Sequence, residues 1–122
     1  MKKFLVLIFC ILSFQVSAME KKTTFDKDLF KKAQDDGKVV VVSSWIKYCY
    51  SCAGQMKILQ KAEKDFKNMK YFSFDVTNKE ISNIFKVEYQ TTLLIFKNNE
   101  EIYRSIGETS KEEIYKAIES SI

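Results

Sequence analysis

The sequence predicts an α/β fold: a four-stranded mixed sheet with helices on both faces. Three observations carry this. First, Val39-Val40-Val41-Val42 is an unbroken β-branched run, the pattern of a central strand buried on both faces. Second, the hydrophobic period switches to three or four residues directly afterwards, at Ala53, Met56, Leu59, Ala62 and Phe66. Third, the element order reads α-β-α-β-α-β-β-α. Its βαβ part crosses over right-handedly into a parallel pair, and its final ββ hairpin adds an antiparallel edge.

In chain order, Thr24 to Asp36 predicts a helix with Phe25, Leu29, Phe30 and Ala33 on one face. Thr23 or Thr24 can cap it, and Asp26 and Asp28 suit its first turn, where the helix dipole favours anions. Gly37 follows, and can end it in the left-handed conformation. After the valine strand comes the helix from Ala53 to Phe66, with Lys57, Lys61 and Lys64 on its polar side. Lys57, Lys61, Lys64 and Lys67 read as a solvated face, with a weak acidic-partner surface as the alternative. Gly54 disfavours this helix by roughly 1 kcal/mol relative to Ala, so close packing is the expected reason for it. Tyr71 to Val76 reads as a second strand. Thr77-x-x-Glu80 is a capping-box pattern ahead of a short helix carrying Ile81, Ile84 and Phe85. Thr91 to Phe96 and Glu101 to Ile106 form the hairpin, turned at Asn98-Asn99 because Asn tolerates positive φ. Gly107 breaks the chain. Ser110-x-x-Glu113 then caps a last helix that buries Ile114, Ala117 and Ile118.

A length of 122 residues suits one domain, and 46% hydrophobic with 14% aromatic residues can supply its core. The chain has no histidine, which excludes histidine-based acid–base catalysis and histidine-rich metal sites. Its formal charge of +4 is spread without a basic block, so nucleic acid is not an indicated partner. The first stretch is expected to lie outside the fold. Met1-Lys2-Lys3, the apolar run Phe4 to Phe14, and Val16-Ser17-Ala18 make a secretory signal pattern. That apolar run is short of the ~20 residues a spanning helix needs. Cleavage after Ala18 divides the chain into a signal peptide, 1–18, and a domain, 19–122; an uncleaved anchor is the alternative. Cleavage also removes Lys2, Lys3 and Cys10, taking the formal charge from +4 to +2 and leaving two cysteines. Export, to a periplasmic location, places them where disulfides persist.

Those two, Cys49 and Cys52, stand at the strand-to-helix junction in Trp45-Ile46-Lys47-Tyr48-Cys49-Tyr50-Ser51-Cys52. A Cys-x-x-Cys pair at such a junction suits a dithiol that closes into a disulfide and reopens. A structural disulfide and half of a metal site are the competing readings. Met56 follows at helical spacing, and a Cys49, Cys52, Met56 set is soft enough for Cu(I), against its plainer reading as core.

With element order and motif together, the chain resembles the thioredoxin family over about Phe25 to Ile122. Val39 to Cys52 resembles the family's apolar strand, Trp, aromatic residue and dithiol. Thr92 to Glu100 resembles its second signature strand and turn, and Gly107 falls where the family has a glycine. The family's first strand has no clear counterpart in Glu20 to Thr24, so a short or missing first strand is expected. A finer similarity, through Asp75-Val76-Thr77 and the short N-terminus, is to the periplasmic thioredoxin-like domain of thiol:disulfide interchange proteins. The resemblance implies a monomeric thiol–disulfide oxidoreductase acting on protein disulfides without an organic cofactor. A membrane electron donor would be one source of its electrons. Cys49 would attack, its charge favoured by the helix N-terminus, and Cys52 would resolve the mixed disulfide. Trp45, Tyr48, Gln90 and Thr91 would shape the substrate groove. Tyr50 and Ser51 would tune the potential; they supply no cation, and the family's dedicated oxidants carry an inserted helical domain not seen here, so reduction is the expected direction. A copper(I)-handling module and a non-catalytic interaction protein are the alternatives.

Three positions depart from the family pattern. Thr91 stands where the family has a cis-proline; a cis bond before a non-proline costs ~2.5–4 kcal/mol, so a trans bond and a reshaped loop are expected, with the hydroxyl free to bond a thiol or a substrate backbone. Ser43 stands in place of the buried carboxylate that serves the resolving cysteine. Tyr71 falls near the lysine that partners that carboxylate. Proton transfer at Cys52 would then need water or another group.

Overall fold

The computed structural model describes residues 21–122. The expected signal peptide, 1–18, and Cys10 lie outside the described residues. The elements are α1 (Lys27–Asp35), β1 (Val39–Trp45), α2 (Tyr50–Asp65), β2 (Met69–Asp75), α3 (Lys79–Phe85), β3 (Thr92–Lys97), β4 (Glu100–Ile106) and α4 (Lys111–Glu119). The sheet runs β2-β1-β3-β4. β1 pairs in parallel with β2 from Val39 opposite Met69 to Trp45 opposite Asp75, and antiparallel with β3 through Val42 opposite Leu94.

The valine run divides the core by alternation, as a strand buried on both faces must. Val39 and Val41 join Leu59, Ala62, Ile114 and Ile118, so α2 and α4 cover that face. Val40 and Val42 join Ala33, Phe72, Phe74 and Phe85 under α1 and α3. Phe25, Phe30 and Phe85 meet on this second face with ring centroids 5.0–5.5 Å apart, tilted or edge-on. The β3–β4 turn places Asn98 at φ 53° and Asn99 at φ 64°, the paired left-handed conformation of a tight hairpin.

No strand precedes α1 among the described residues. Thr23 and Thr24 do not cap α1; Asp26 does, its carboxylate accepting from Leu29 N at 2.9 Å. The two threonines lie instead along the outer edge of β2. Thr24 Oγ1 accepts from Ser73 N at 2.8 Å, and Thr23 Oγ1 accepts from Asp75 N at 3.2 Å. Together with Thr24 N and Phe25 N, which donate to Ser73 O at 2.9 and 3.1 Å, these hydroxyls satisfy part of an edge that a further strand would otherwise cover. α3 also departs from its expected cap. Asn78, one residue later, accepts from Ile81 N at 3.2 Å, while Thr77 is held by the Asp75 carboxylate. The Ser110 cap stands, with Glu113 N at 3.4 Å from its hydroxyl.

β1 runs out, and β3 runs in, at the same end of the sheet. The loop after Trp45 and the loop before Thr92 are therefore neighbours, although far apart in sequence.

Candidate active site

α2 begins three residues earlier than its apolar period suggests, and the motif itself forms the first turn. Cys49 is the N-cap, in extended conformation at φ −91°, ψ 108°. Its sulfur takes the place of the usual cap oxygen and accepts from Cys52 N at 3.2 Å. The Ser51 hydroxyl lies 3.3 Å from the same sulfur. The two cysteines are joined in a disulfide, with Cα atoms 5.3 Å apart. They are unequally exposed: Cys49 is part-buried at the surface, whereas Cys52 is fully buried beside Trp45 and Met56. Met56, at 2% exposure, fills the floor under the dithiol.

Thr91 reaches the dithiol from the β3 side. Its hydroxyl lies 3.1 Å from Cys52 Sγ and 3.8 Å from Cys49 Sγ. In the disulfide state only the hydroxyl carries a hydrogen, so it donates. The described residues contain no cis peptide bond, and Thr91 adopts φ 63°. A β-branched residue in the left-handed region is an outlier worth roughly 1–3 kcal/mol of strain, sustained only when its surroundings hold it. Thr91 N donates to Ser44 O at 2.9 Å, and Thr91 O accepts from Gly107 N at 2.9 Å. Gln55, fully buried on α2, donates to Glu108 O at 2.7 Å and, more weakly, to Thr91 O at 3.5 Å. Gln55 had a sequence signal, a polar residue within the Cys52, Met56, Leu59 stripe.

Ser43 and Tyr71 account for the missing carboxylate and lysine. Their hydroxyls meet at 2.6 Å in the core. Burial pushes the Tyr71 phenol above its ordinary range, and the Glu63 charge pushes the same way. The pair is neutral and self-satisfied, and provides no base for Cys52.

A groove of about 650 Å³ opens beside Cys49, lined in part by Trp45, Tyr48 and Tyr50. Trp45 is 7% exposed and forms its floor; Tyr48 and Tyr50 stand out at 85% and 95%. Tyr48 adopts φ 66° to turn the chain into α2. Of the other candidate residues, Ser51 contacts the dithiol without lining the groove, and Gln90 is exposed on the loop before Thr91, outside the groove. Lys21 had no sequence signal. Its ammonium donates to Ile46 O at 3.0 Å and Cys49 O at 2.8 Å, placing at the motif the cation that Tyr50-Ser51 lacks.

A buried and a part-buried cysteine, bonded at the start of a helix that leaves a central strand, define a dithiol–disulfide exchange site on an α/β sheet. The sequence model described as Thioredoxin matches residues 16–120, and the chain belongs to the thioredoxin family. Its paired cysteines support the thiol–disulfide oxidoreductase activity of that family. A thioredoxin H-type from Fagopyrum esculentum is 28% identical over 88 residues, covering 71% of this chain and 76% of that protein. Among solved structures, Trxlp from Edwardsiella tarda superposes with a TM-score of 0.71 at 27% identity, over 77% of this chain and 94% of that one. Fasciola hepatica thioredoxin, at 19% identity and TM-score 0.69, shares the fold over 78% of this chain and 89% of its own.

Proposed function

We propose that this chain is an extracytoplasmic thiol–disulfide oxidoreductase that works in the reducing direction on protein disulfides. The unequal exposure of two bonded sulfurs carries the reading. In the reduced state Cys49 is the sulfur a substrate can reach. The Cys52 amide, the Ser51 and Thr91 hydroxyls and the helix N-terminus all favour a thiolate there. Cys49 thiolate attacks a substrate disulfide; one substrate sulfur leaves as thiolate and takes a proton from water. Cys52 then gives up its proton to water and attacks Cys49 Sγ, and the second substrate sulfur leaves as thiolate and takes up a proton. Two electrons pass to the substrate, and the protein returns to its Cys49–Cys52 disulfide. With Ser43 and Tyr71 locked together, Thr91 Oγ1 is the polar side-chain atom bonded to the Cys52 sulfur.

The direction rests on magnitudes. Lys21 favours the thiolate, but a partly exposed cation contributes about 0.5–1 kcal/mol, or about 10–20 mV for two electrons. About 150 mV separates thioredoxin from the strongest oxidant of this fold. The extracytoplasmic location rests on the signal pattern in residues 1–18, and a membrane donor is the electron source that fits it. Insulin reduction tests the roles: Cys49→Ser abolishes turnover, and Cys52→Ser accumulates a mixed disulfide visible by mass spectrometry. Turnover persisting in Cys49→Ser contradicts the assignment.

A further inference from the structure

We propose that the groove beside the dithiol selects disulfides flanked by acidic residues, a preference that rests on the oxidoreductase reading above. Three lysines, Lys21, Lys47 and Lys57, line the groove together with Cys49. They come from three separate parts of the chain: the segment before α1, the motif loop and the exposed side of α2. Among the described residues none of the three forms a salt bridge. The carboxylate that also lines the groove, Asp75, is turned to the chain itself, accepting from Thr77 N at 2.9 Å and Thr77 Oγ1 at 2.8 Å. Lys21 is fixed by the Ile46 and Cys49 carbonyls, which holds a positive charge at the Cys49 end. Lys47 lies 5.1 Å from the Tyr48 ring centroid, so cation and exposed ring form one surface. A peptide in this groove meets apolar ring faces and an excess of two positive charges, three lysines against one aspartate. Carboxylates beside its disulfide complement that surface, and lysines there are repelled.

The test is single-turnover reduction by prereduced protein, followed by Trp45 fluorescence. Three disulfide peptides, matched except for Asp, Ser or Lys on either side of one cysteine, are compared. The Ser peptide gives each protein its own baseline, and dithiothreitol on the same peptides corrects for intrinsic reactivity. At low salt the Asp peptide should react about tenfold faster than the Lys peptide, the sum of a few weak surface pairs. The ratio should collapse toward one at high salt and invert in Lys47→Glu/Lys57→Glu. Equal corrected rates for the Asp and Lys peptides in the native protein overturn the proposal, as does a ratio unchanged in the double variant. No reaction with the Ser peptide overturns the oxidoreductase reading itself, which distinguishes the two failures.

Discussion

The hydroxyl of Thr91 lies 3.1 Å from the sulfur of Cys52, across the junction between the two loops at one end of the sheet. With the Cys49 sulfur 3.8 Å away, one hydroxyl serves both members of the pair. Thr91→Val keeps the β-branched shape and removes only that donor. A hydrogen bond to a charged group contributes about 1.5–3 kcal/mol, so we expect the variant's Cys49 to be alkylated by iodoacetamide about tenfold more slowly at neutral pH, with stability nearly unchanged. An unchanged alkylation rate would show that the hydroxyl does not support the thiolate.

The Ser43–Tyr71 pair predicts an alkaline limit to stability. In the folded chain Tyr71 keeps its proton to higher pH than in the unfolded chain, because it is buried. Its contribution is therefore complete below the ordinary tyrosine range, about pH 10, and is lost as pH rises above it, since the unfolded state releases its proton first. Tyr115, pushed up to about 12 by partial burial and by its bond to Asp65, adds a smaller slope of the same sign, because that bond is exposed to solvent. Tyr71→Phe should lower stability at pH 7 by about 1–3 kcal/mol, because it orphans the buried Ser43 hydroxyl. It should also fall less steeply than the native protein above pH 10. Urea titrations at both pH values check this; parallel falls would contradict it.

Lys21 is the cation nearest the motif in sequence-distant contact with it. Lys21→Met should shift the reduction potential of the pair by about 10–20 mV in the reducing direction, an effect that added salt diminishes in the native protein. Equilibration with glutathione buffers at two ionic strengths measures it. A shift toward the oxidising side would mean that Lys21 acts only by holding the loop.

Gly54 is not where close packing requires a glycine. It lies inside α2, is exposed, and a Cβ built there meets nothing within 4 Å. Gly54→Ala should stabilise the protein by roughly 0.5–1 kcal/mol, read as a raised urea midpoint with an unchanged slope. Destabilisation would reveal a constraint on α2 that the native packing conceals.

The sheet, its helical cover and the dithiol were legible because each is written in local period. The β-branched valine run pointed to a doubly covered strand, and Asn98-Asn99 suited a tight turn because Asn tolerates positive φ. Besides Gly54, the errors fall at helix starts, where several capping residues compete: Asp26 over Thr23 and Thr24, Asn78 over Thr77, and Cys49 itself for α2. Those choices depend on tertiary partners, since Thr23 and Thr24 are drawn away by β2. The same reason hid the Thr91 conformation, the Ser43–Tyr71 pair and Lys21. Each depends on residues brought together across the sheet, and no spacing within one segment encodes it.

The reduction potential of the Cys49–Cys52 pair in the protein beginning at Met19 tests the central claim most directly. Trp45, buried against Cys52, reports the equilibrium by fluorescence in dithiothreitol or glutathione buffers. We expect a two-electron transition near that of thioredoxin, about −270 mV. A value near −120 mV would make the protein an oxidant, and a pair that does not cycle would contradict the oxidoreductase account.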